Sequence, residues 1–375
     1  MLDTAHITGS GRSRPTMRHV AALAGVGIKT VSRVVNAEPN VSQETVHRVR
    51  EAIERLDYQP DLNAGNLKRA NGKTLTIGLV VESVANPISS AIHRAIEQKA
   101  WERDTAVFAS SHGDDPIREH AIMQALQRRR VDGMILTTAG GSCAYHAEGA
   151  ARRTPLVFVD RASGGVGADA VISGDFTGAA HAARHLLGHG HRRIAYCGPG
   201  DHLGFRSARE RERGFMEELG RWGVPTTDVP VLQDLDDAET AQNAVATMVR
   251  SGSRPTAIFT SHGPSTIGAI RALREAGLHN SVALVGFDDF ALTEILEPGV
   301  TVVAPDPERI GQMAAERLFA RIDGSRAEPN TYVVPTTLIA RGSGELWPKI
   351  DAPHRKGRRL SPHGQAAAVE RQRNR

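Results

Sequence analysis

Apolar residues recur at helical spacing near the amino end of this chain, and in short continuous runs further on. Between Thr16 and Asn36 the sequence reads TMRHVAALAGVGIKTVSRVVN. Val20, Ala21 and Leu23 give a first helix its apolar side, and Gly25-Val26-Gly27 breaks it. Val31, Val34 and Val35 then resume helical spacing, with Val31 and Val34 expected in a core, while Lys29, Thr30, Ser32 and Arg33 face elsewhere. Two short helices joined by a glycine turn, the second with a polar basic face, are the pattern of a helix-turn-helix whose second helix enters a DNA major groove. Thr16 stands where a helix N-cap is expected. A third helix is predicted from Ser42 to Asp57, opened by Ser42 and Thr45 and lined by Val46, Val49, Ile53 and Leu56.

Tyr58 to Lys73 reads as a connector. Pro60 ends the preceding helix, and Asp61 to Arg69 has the makings of one or two helical turns. Gly65 weakens such a helix by ~1 kcal/mol against alanine, and so short a helix is marginal alone in water. Two readings stay open: a segment that orders when two copies meet on DNA, and a plain linker.

From Thr74 the pattern alternates between strand and helix. Strands are expected at Thr74–Val81, Ala106–Ala109, Val131–Leu136, Leu156–Asp160, Arg193–Gly198, Ala257–Thr260 and Val282–Phe287. Helices are expected at Pro87–Arg103, Pro116–Arg129, Gly178–Leu187, Arg209–Leu219, Ala238–Arg250 and Ile267–Ala276. This is a parallel α/β architecture long enough for two lobes, with ligands outside the carboxyl ends of the strands.

Composition narrows the class. At 375 residues the chain calls for two or three domains. No apolar run approaches the ~20 residues of a membrane span, and the polar start MLDTAHITGSGRSRP lacks the apolar core of a secretory signal. Two distant cysteines, Cys143 and Cys197, without metal-ligand spacing fit a reduced cytoplasm. The net charge of +4 is unevenly spread: from Pro348 onward eight Lys and Arg stand against two acids, so the tail carries +6 and the rest −2. That tail and residues 1–15 read as disordered. The tail is either a solvated end or an auxiliary, sequence-independent phosphate contact.

The residues also carry a family resemblance. AGVGIKTVSRVVN followed by VSQETVHRVREAIERLDYQP, then TIGLVV, Asn86-Pro87, RRVDGMIL, FVDR at Phe158–Arg161, HLLGHGHRRIAYCGP, RERGF at Arg211–Phe215, VGFDD at Val285–Asp289 and TTLIARGS, resemble in order the motifs of the LacI/GalR family of bacterial repressors, from about Thr16 to Trp347. The resemblance implies an all-α helix-turn-helix domain at 16–60 and a hinge helix at 61–74 that enters the minor groove. It further implies a two-lobed core like a periplasmic sugar-binding protein. Three crossings would divide that core into a first lobe at 75–172 plus 304–330 and a second at 173–303 plus 331–347, leaving 348–375 as the basic tail. The expected partners are double-stranded DNA with a pseudo-palindromic operator, a small-molecule effector and a second copy of the chain, with no membrane and no cofactor, in the cytoplasm at the nucleoid.

By the same resemblance Ile28 and Lys29, with Arg33 one turn on, point at base edges; Lys and Arg can donate to guanine and Ile28 can touch a thymine methyl. Thr16, Thr30, Ser32, Asn36, Ser42 and Thr45 fall at backbone-positioning places, for which capping and helix packing is the competing reading. Gly27 replaces the family's usual serine and so lacks an N-cap hydroxyl. Leu67 matches the leucine that the family wedges into a base step, beside Lys68. Gly65 stands where the family commonly has arginine, which implies a weaker hinge.

Asn86, Arg161, Arg211 and Asp288 match positions lining the family's cleft. Asp160, Ser207, Ile88 and His262 adjoin them, the last where an Asn-Asp pair is common. Carboxylates and guanidinium groups at strand ends suit a polyol through paired hydrogen bonds; a salt bridge across the cleft is the competing reading. The departures at His262 and Ile88 argue against an ordinary sugar, and two arginines suit an acidic or phosphorylated ligand.

Other chemistry finds little support. Gly25–Thr30 lacks the glycine before lysine and the preceding strand of a phosphate loop. His181 and His185 have the spacing of a zinc pair without the glutamate of a zinc hydrolase. No nucleophile motif is evident, so an α/β enzyme is disfavoured. A solute-binding protein of a transport system is the remaining alternative, opposed by the helix-turn-helix.

Overall fold

The computed structural model describes residues 15–35, 38–58, 73–140, 154–161, 167–200, 206–291 and 293–348. They fall into two compact units, one helical and one α/β.

The helical unit contains α1 (Met17–Ala24), α2 (Ile28–Val35) and α3 (Gln43–Leu56). Its small core is Val20, Ala21, Ala24, Val31, Val49, Ala52 and Tyr58. Leu23, expected on the buried side of α1, is 43 % exposed, and Ala24 packs inward instead. With Val20 fixed in the core, Ala24 at i+4 lies on the same helix face and Leu23 is turned off it. Gly25 ends α1 in the left-handed region at φ 65, where L side chains other than Asn and Asp rarely sit. Ser42 caps α3 by accepting from the Thr45 amide.

The α/β unit runs β1 (Thr76–Val81), α4 (Pro87–Trp101), β2 (Ala106–Ser111), α5 (Pro116–Arg128), β3 (Gly133–Leu136), β4 (Leu156–Val159) and β5 (Asp169–Ser173). It continues through α6 (Asp175–Gly188), β6 (Ile194–Cys197), α7 (Arg206–Arg221), β7 (Val231–Leu232), α8 (Ala238–Arg250), β8 (Ala257–Thr260), α9 (Gly263–Glu275) and β9 (Ala283–Phe287). It closes with β10 (Thr301–Ala304), α10 (Pro307–Ile322), β11 (Thr331–Val334) and β12 (Thr337–Ile339). The strands form two six-stranded sheets, ordered β11-β5-β4-β3-β1-β2 and β12-β10-β9-β8-β6-β7. Antiparallel pairing is confined to β10 with β12 among the pairs whose register is defined; the others are parallel.

Helices cover both faces of the second sheet, so its inner strands β6, β8 and β9 are buried at every position. Phe259 joins Phe215 and Tyr196 in a core under α6 and α7, while its neighbour Ile258 joins Val245 and Leu273 in a second core under α8 and α9. Beneath the first sheet, Ile77, Leu79, Ile92, Val157, Ile310 and Leu318 pack together. Helices approach closely at glycine: a Cβ on Gly214 of α7 would stand 2.1 Å from the Phe176 carbonyl oxygen of α6.

The chain crosses between the sheets after β5, after β10, and between Val334 and Thr337. The third crossing corrects the boundary expected at 331: residues 331–334 pair in register with Ala170–Ser173 of the first sheet, and only β12 joins the second.

Candidate ligand cleft and DNA-reading face

The eight cleft residues expected from the sequence line one cavity between the two sheets. Asn86, Ile88, Asp160 and Arg161 come from the first lobe, and Ser207, Arg211, His262 and Asp288 from the second; the cavity is about 320 Å³. Glu82, Asp114, Asp236 and Ser261 also line it and were not anticipated. Their signal was present. Asp114-Asp115 and Asp236-Asp237 are double aspartates directly before a helix, in which the second residue caps the helix and the first is left at the cavity wall. A smaller adjoining cavity of about 140 Å³ shares Asp160 and Ser207.

Each site residue is held by the end of an element. Asn86 caps α4 through its side-chain oxygen, which accepts from the Ile88 amide at 2.9 Å, and its amide nitrogen donates to Glu82 at 3.0 Å. Asp160 and Asp288 directly follow β4 and β9 at φ 60 and 75. Non-glycine residues in that region are uncommon and favour Asp and Asn. Both arginines bind a carboxylate of their own lobe. Arg161 Nη1 donates to Asp114 at 2.5 Å, within the first lobe. Arg211 Nε donates to Asp175 at 2.7 Å and its Nη1 donates to the Ser261 carbonyl at 2.7 Å, with Asp288 at 3.8 Å and the Phe287 ring 3.8 Å away. Both guanidinium groups are thus bound by carboxylates of their own lobe.

The electrostatics follow from burial. Desolvation raises the Asp175 carboxyl to about 6, against the pull of Arg211. Burial raises Asp288 too, with Arg211 opposing, and raises Glu82 with Arg161 opposing. The Asp160 charge adds to the upward shift of all three. Burial, reinforced by Arg211, lowers the His262 imidazole to about 3, so it is neutral at physiological pH. Its Nδ1 shares a hydrogen bond of 2.7 Å with Ser265 Oγ. The cavity accordingly presents several carboxylate acceptors beside two arginines. Among the described residues no cluster of His, Cys, Asp and Glu could hold a metal ion.

In the helical unit, Ile28 is 45 % exposed at the start of α2, Lys29 and Arg33 are exposed, and Thr30 and Ser32 are half-buried. The Gly27 carbonyl accepts from Thr30 and Val31 amides, so Gly27 occupies the N-cap place of α2 without a side chain to cap it. Thr16 is exposed, its amide donating to His19 Nδ1 at 3.2 Å. Ser42 and Thr45 hydrogen-bond each other at 2.9 Å. Asn36, Leu67 and Lys68, with residues 61–72 of the hinge expected at 61–74, lie outside the described residues, as do 1–14 and the tail from 349.

A helix-turn-helix unit with an exposed basic recognition helix, followed by a two-lobed α/β unit with a polar cleft, defines a ligand-responsive DNA-binding protein. Residues 16–61 match the family model of bacterial regulatory proteins, lacI family, and residues 183–344 match that of a periplasmic binding protein-like domain. The chain is 33% identical over 340 residues to the HTH-type transcriptional regulator PtxS of Pseudomonas aeruginosa, covering 88% of this chain and 96% of that one. Its structure is similar to that of a Lac repressor dimer bound to operator and the anti-inducer ONPF, with a TM-score of 0.78 at 27% identity, covering 88% of this chain and 99% of that one. It is also similar to a complex of the transcriptional regulator CelR with cellobiose, with a TM-score of 0.66 at 29% identity, covering 88% and 100%. The chain belongs to the LacI family and is a DNA-binding transcriptional regulator. Its relatives are regulators rather than enzymes, and among the described residues no helix is long and apolar enough to cross a membrane.

Proposed function

We propose that this regulator represses transcription by binding a pseudo-palindromic operator as a homodimer, and that a small metabolite seated between the two lobes, a sugar or a sugar-derived or acidic one, controls its operator affinity. The observation that carries this reading is the convergence of Asn86, Ile88, Asp160, Arg161, Ser207, Arg211, His262 and Asp288 on one cleft. The Lac repressor and CelR complexes, each holding a small molecule, support it by likeness. Ile28, Lys29 and Arg33 read base edges; Thr16, Gly27, Thr30, Ser32, Asn36, Ser42 and Thr45 set the module on the backbone; Leu67 and Lys68 engage the minor groove. Mechanism follows from linkage: a ligand that binds one degree of lobe closure better than another shifts DNA affinity by the difference. Two-fold symmetry of the protein demands matched half-sites.

The test is selection of binding sites from fragmented genomic DNA, followed by gel shift against random competitor with and without a metabolite panel. A palindromic site whose binding one metabolite changes at least about fivefold supports the reading. Equal binding to all fragments refutes it.

A further inference from the structure

The connector from the helix-turn-helix reaches the first lobe at residues 73–76, and one side chain fastens it there. Asp132 directly precedes β3. Its Oδ1 accepts from the Thr74 amide at 2.7 Å, and its Oδ2 accepts from the Leu75 amide at 2.8 Å. The Thr74 hydroxyl lies 3.0 Å from the same Oδ1 and 3.1 Å from the Arg130 carbonyl. The Asp132 amide in turn donates to the Thr76 carbonyl at 2.8 Å. A carboxylate shared by two successive backbone amides fixes the direction of the chain as well as its position. Leu75 is held left-handed at φ 55, a conformation that a leucine keeps only where its surroundings impose it.

The second lobe shows what the same place looks like where no connector arrives. β1 pairs with β3 as β6 pairs with β8, with Ile77 opposite Gly133 and Ile194 opposite Ala257. Asp132 is thus equivalent to Thr256, Thr76 to Arg193 and Thr74 to His191. The Thr256 amide donates to the Arg193 carbonyl at 2.8 Å, matching the bond from Asp132 to Thr76. Beyond that shared bond, the Thr256 hydroxyl meets the His191 ring at 2.9 Å. The His191 amide is already held by the Leu186 carbonyl of α6. The carboxylate that grips two amides stands in the lobe that receives the chain from the DNA-reading unit.

We propose that Asp132 is a positioning residue for regulation: it fixes the connector to the first lobe, so that lobe closure reaches the DNA-reading helices and DNA binding reaches the cleft. This rests on the cleft being the effector site. A joint free to turn at residues 73–75 would absorb a displacement of the lobe, whereas a joint gripped at two amides passes it on. Coupling between sites is reciprocal, so it can be read from the DNA side alone.

Hydrogen exchange of the full chain, followed by mass spectrometry, tests this with one probe, the duplex that the unsubstituted chain selects from fragmented genomic DNA. Each protein is compared free and at equal saturation with that duplex. In the unsubstituted chain the Thr74 and Leu75 amides should exchange as slowly as those of β1. The duplex should change exchange at least about twofold in the segments carrying Asp160, His262 and Asp288. Asp132→Ala should release residues 73–76 and abolish the change in the cleft while the duplex still binds. Asp132→Asn keeps the size and one acceptor oxygen, so it should fold even where Asp132→Ala does not, and should lose at least half of the change. A purely structural role would speed exchange in free and bound protein alike and leave the difference between them intact, which overturns the proposal. A cleft that ignores the duplex in the unsubstituted chain also overturns it, as does fast exchange at Thr74 and Leu75. Selection of no duplex removes the regulator reading itself, and the proposal with it.

Discussion

Replacing Arg211 with methionine exposes how the buried charges of the second lobe are balanced. Arg211 is 8 % exposed and Asp175 5 %. Methionine keeps most of the length and the contact with Phe287, so the loss is electrostatic. Removing one member of a buried ion pair costs ~3–5 kcal/mol. Proton uptake limits the Asp175 share. With Arg211 present that carboxyl already sits at about 6 rather than 3.8. Without it the carboxyl titrates higher still and is protonated at neutral pH, which adds about 1.4 kcal/mol for one further unit. The stranded Ser261 carbonyl adds ~1–3 kcal/mol, for a total of about 3 kcal/mol. The pH dependence gives the sign. A carboxyl whose folded value is raised contributes its stability in full below 3.8 and loses it as pH rises through the folded value. In the parent that decline is largely complete just above 6; in R211M it continues through neutrality. The stability gap between the two proteins therefore widens from about pH 5.5 to about pH 7.5. Urea unfolding followed by far-UV circular dichroism is the assay, because the three tryptophans, Trp101, Trp222 and Trp347, are all exposed and their emission would report little. A gap below about 1 kcal/mol, or one equal at both pH values, refutes the reasoning.

Three further substitutions test separate parts of the structure. Gly27→Ser places a hydroxyl in open space at the N-cap place of α2, worth a few tenths of a kcal/mol to the helix; slower hydrogen exchange across Ile28–Val35 and tighter operator binding are expected, and faster exchange contradicts the geometry. Lys29→Ala should cost ~1–3 kcal/mol on the operator and little on random DNA where the side chain reads a base, whereas an equal loss on both identifies a phosphate contact. Gly214→Ala drives a Cβ to 2.1 Å from the Phe176 carbonyl oxygen, so ~1–3 kcal/mol of destabilisation is expected in thermal melts of the full chain; an unchanged melting temperature argues against so close an approach of α6 and α7.

The parts legible in the sequence are those in which local pattern and packing agree. The three amino-terminal helices and the long apolar runs such as TIGLVV were readable because burial on one face or on both leaves an unambiguous period. The run DAVIS at β5 is fully buried and was missed, as were β10, β11 and β12. β11 and β12 are sheet edges with exposed or half-buried positions, so no continuous apolar run marks them. Their pairing is long-range: Thr331 meets Ala170 across the sequence, and that partnership placed the third crossing later than expected. In the cleft, family motifs located Asn86, Arg161, Arg211 and Asp288, but nothing local revealed which carboxylates bind the two arginines. Arg161 is held by Asp114 and Arg211 by Asp175, each an aspartate that reads in isolation as part of a helix start.

The two sheets carry the same order of strands, with β2, β1, β3, β4 and β5 of the first standing where β7, β6, β8, β9 and β10 stand in the second. Asp160 after β4 and Asp288 after β9 are thus equivalent residues of two similar lobes. The likeness extends to the backbone: both are left-handed, and the Asp160 amide donates to the Val171 carbonyl of β5 as the Asp288 amide donates to the Val303 carbonyl of β10, each at 3.0 Å. The double aspartates before α5 and α8 repeat the correspondence. Two similar lobes that face each other through their strand ends present the same chemistry from both sides, and here that chemistry is carboxylate. Like charges oppose the approach of the lobes. Arg211, bound to Asp175 and near Asp288, relieves this in part and also attracts Asp160 of the first lobe, as Arg161 attracts Asp288 of the second. A ligand that donates to both Asp160 and Asp288 joins the two lobes, and its preference for one degree of closure sets how far DNA affinity is shifted.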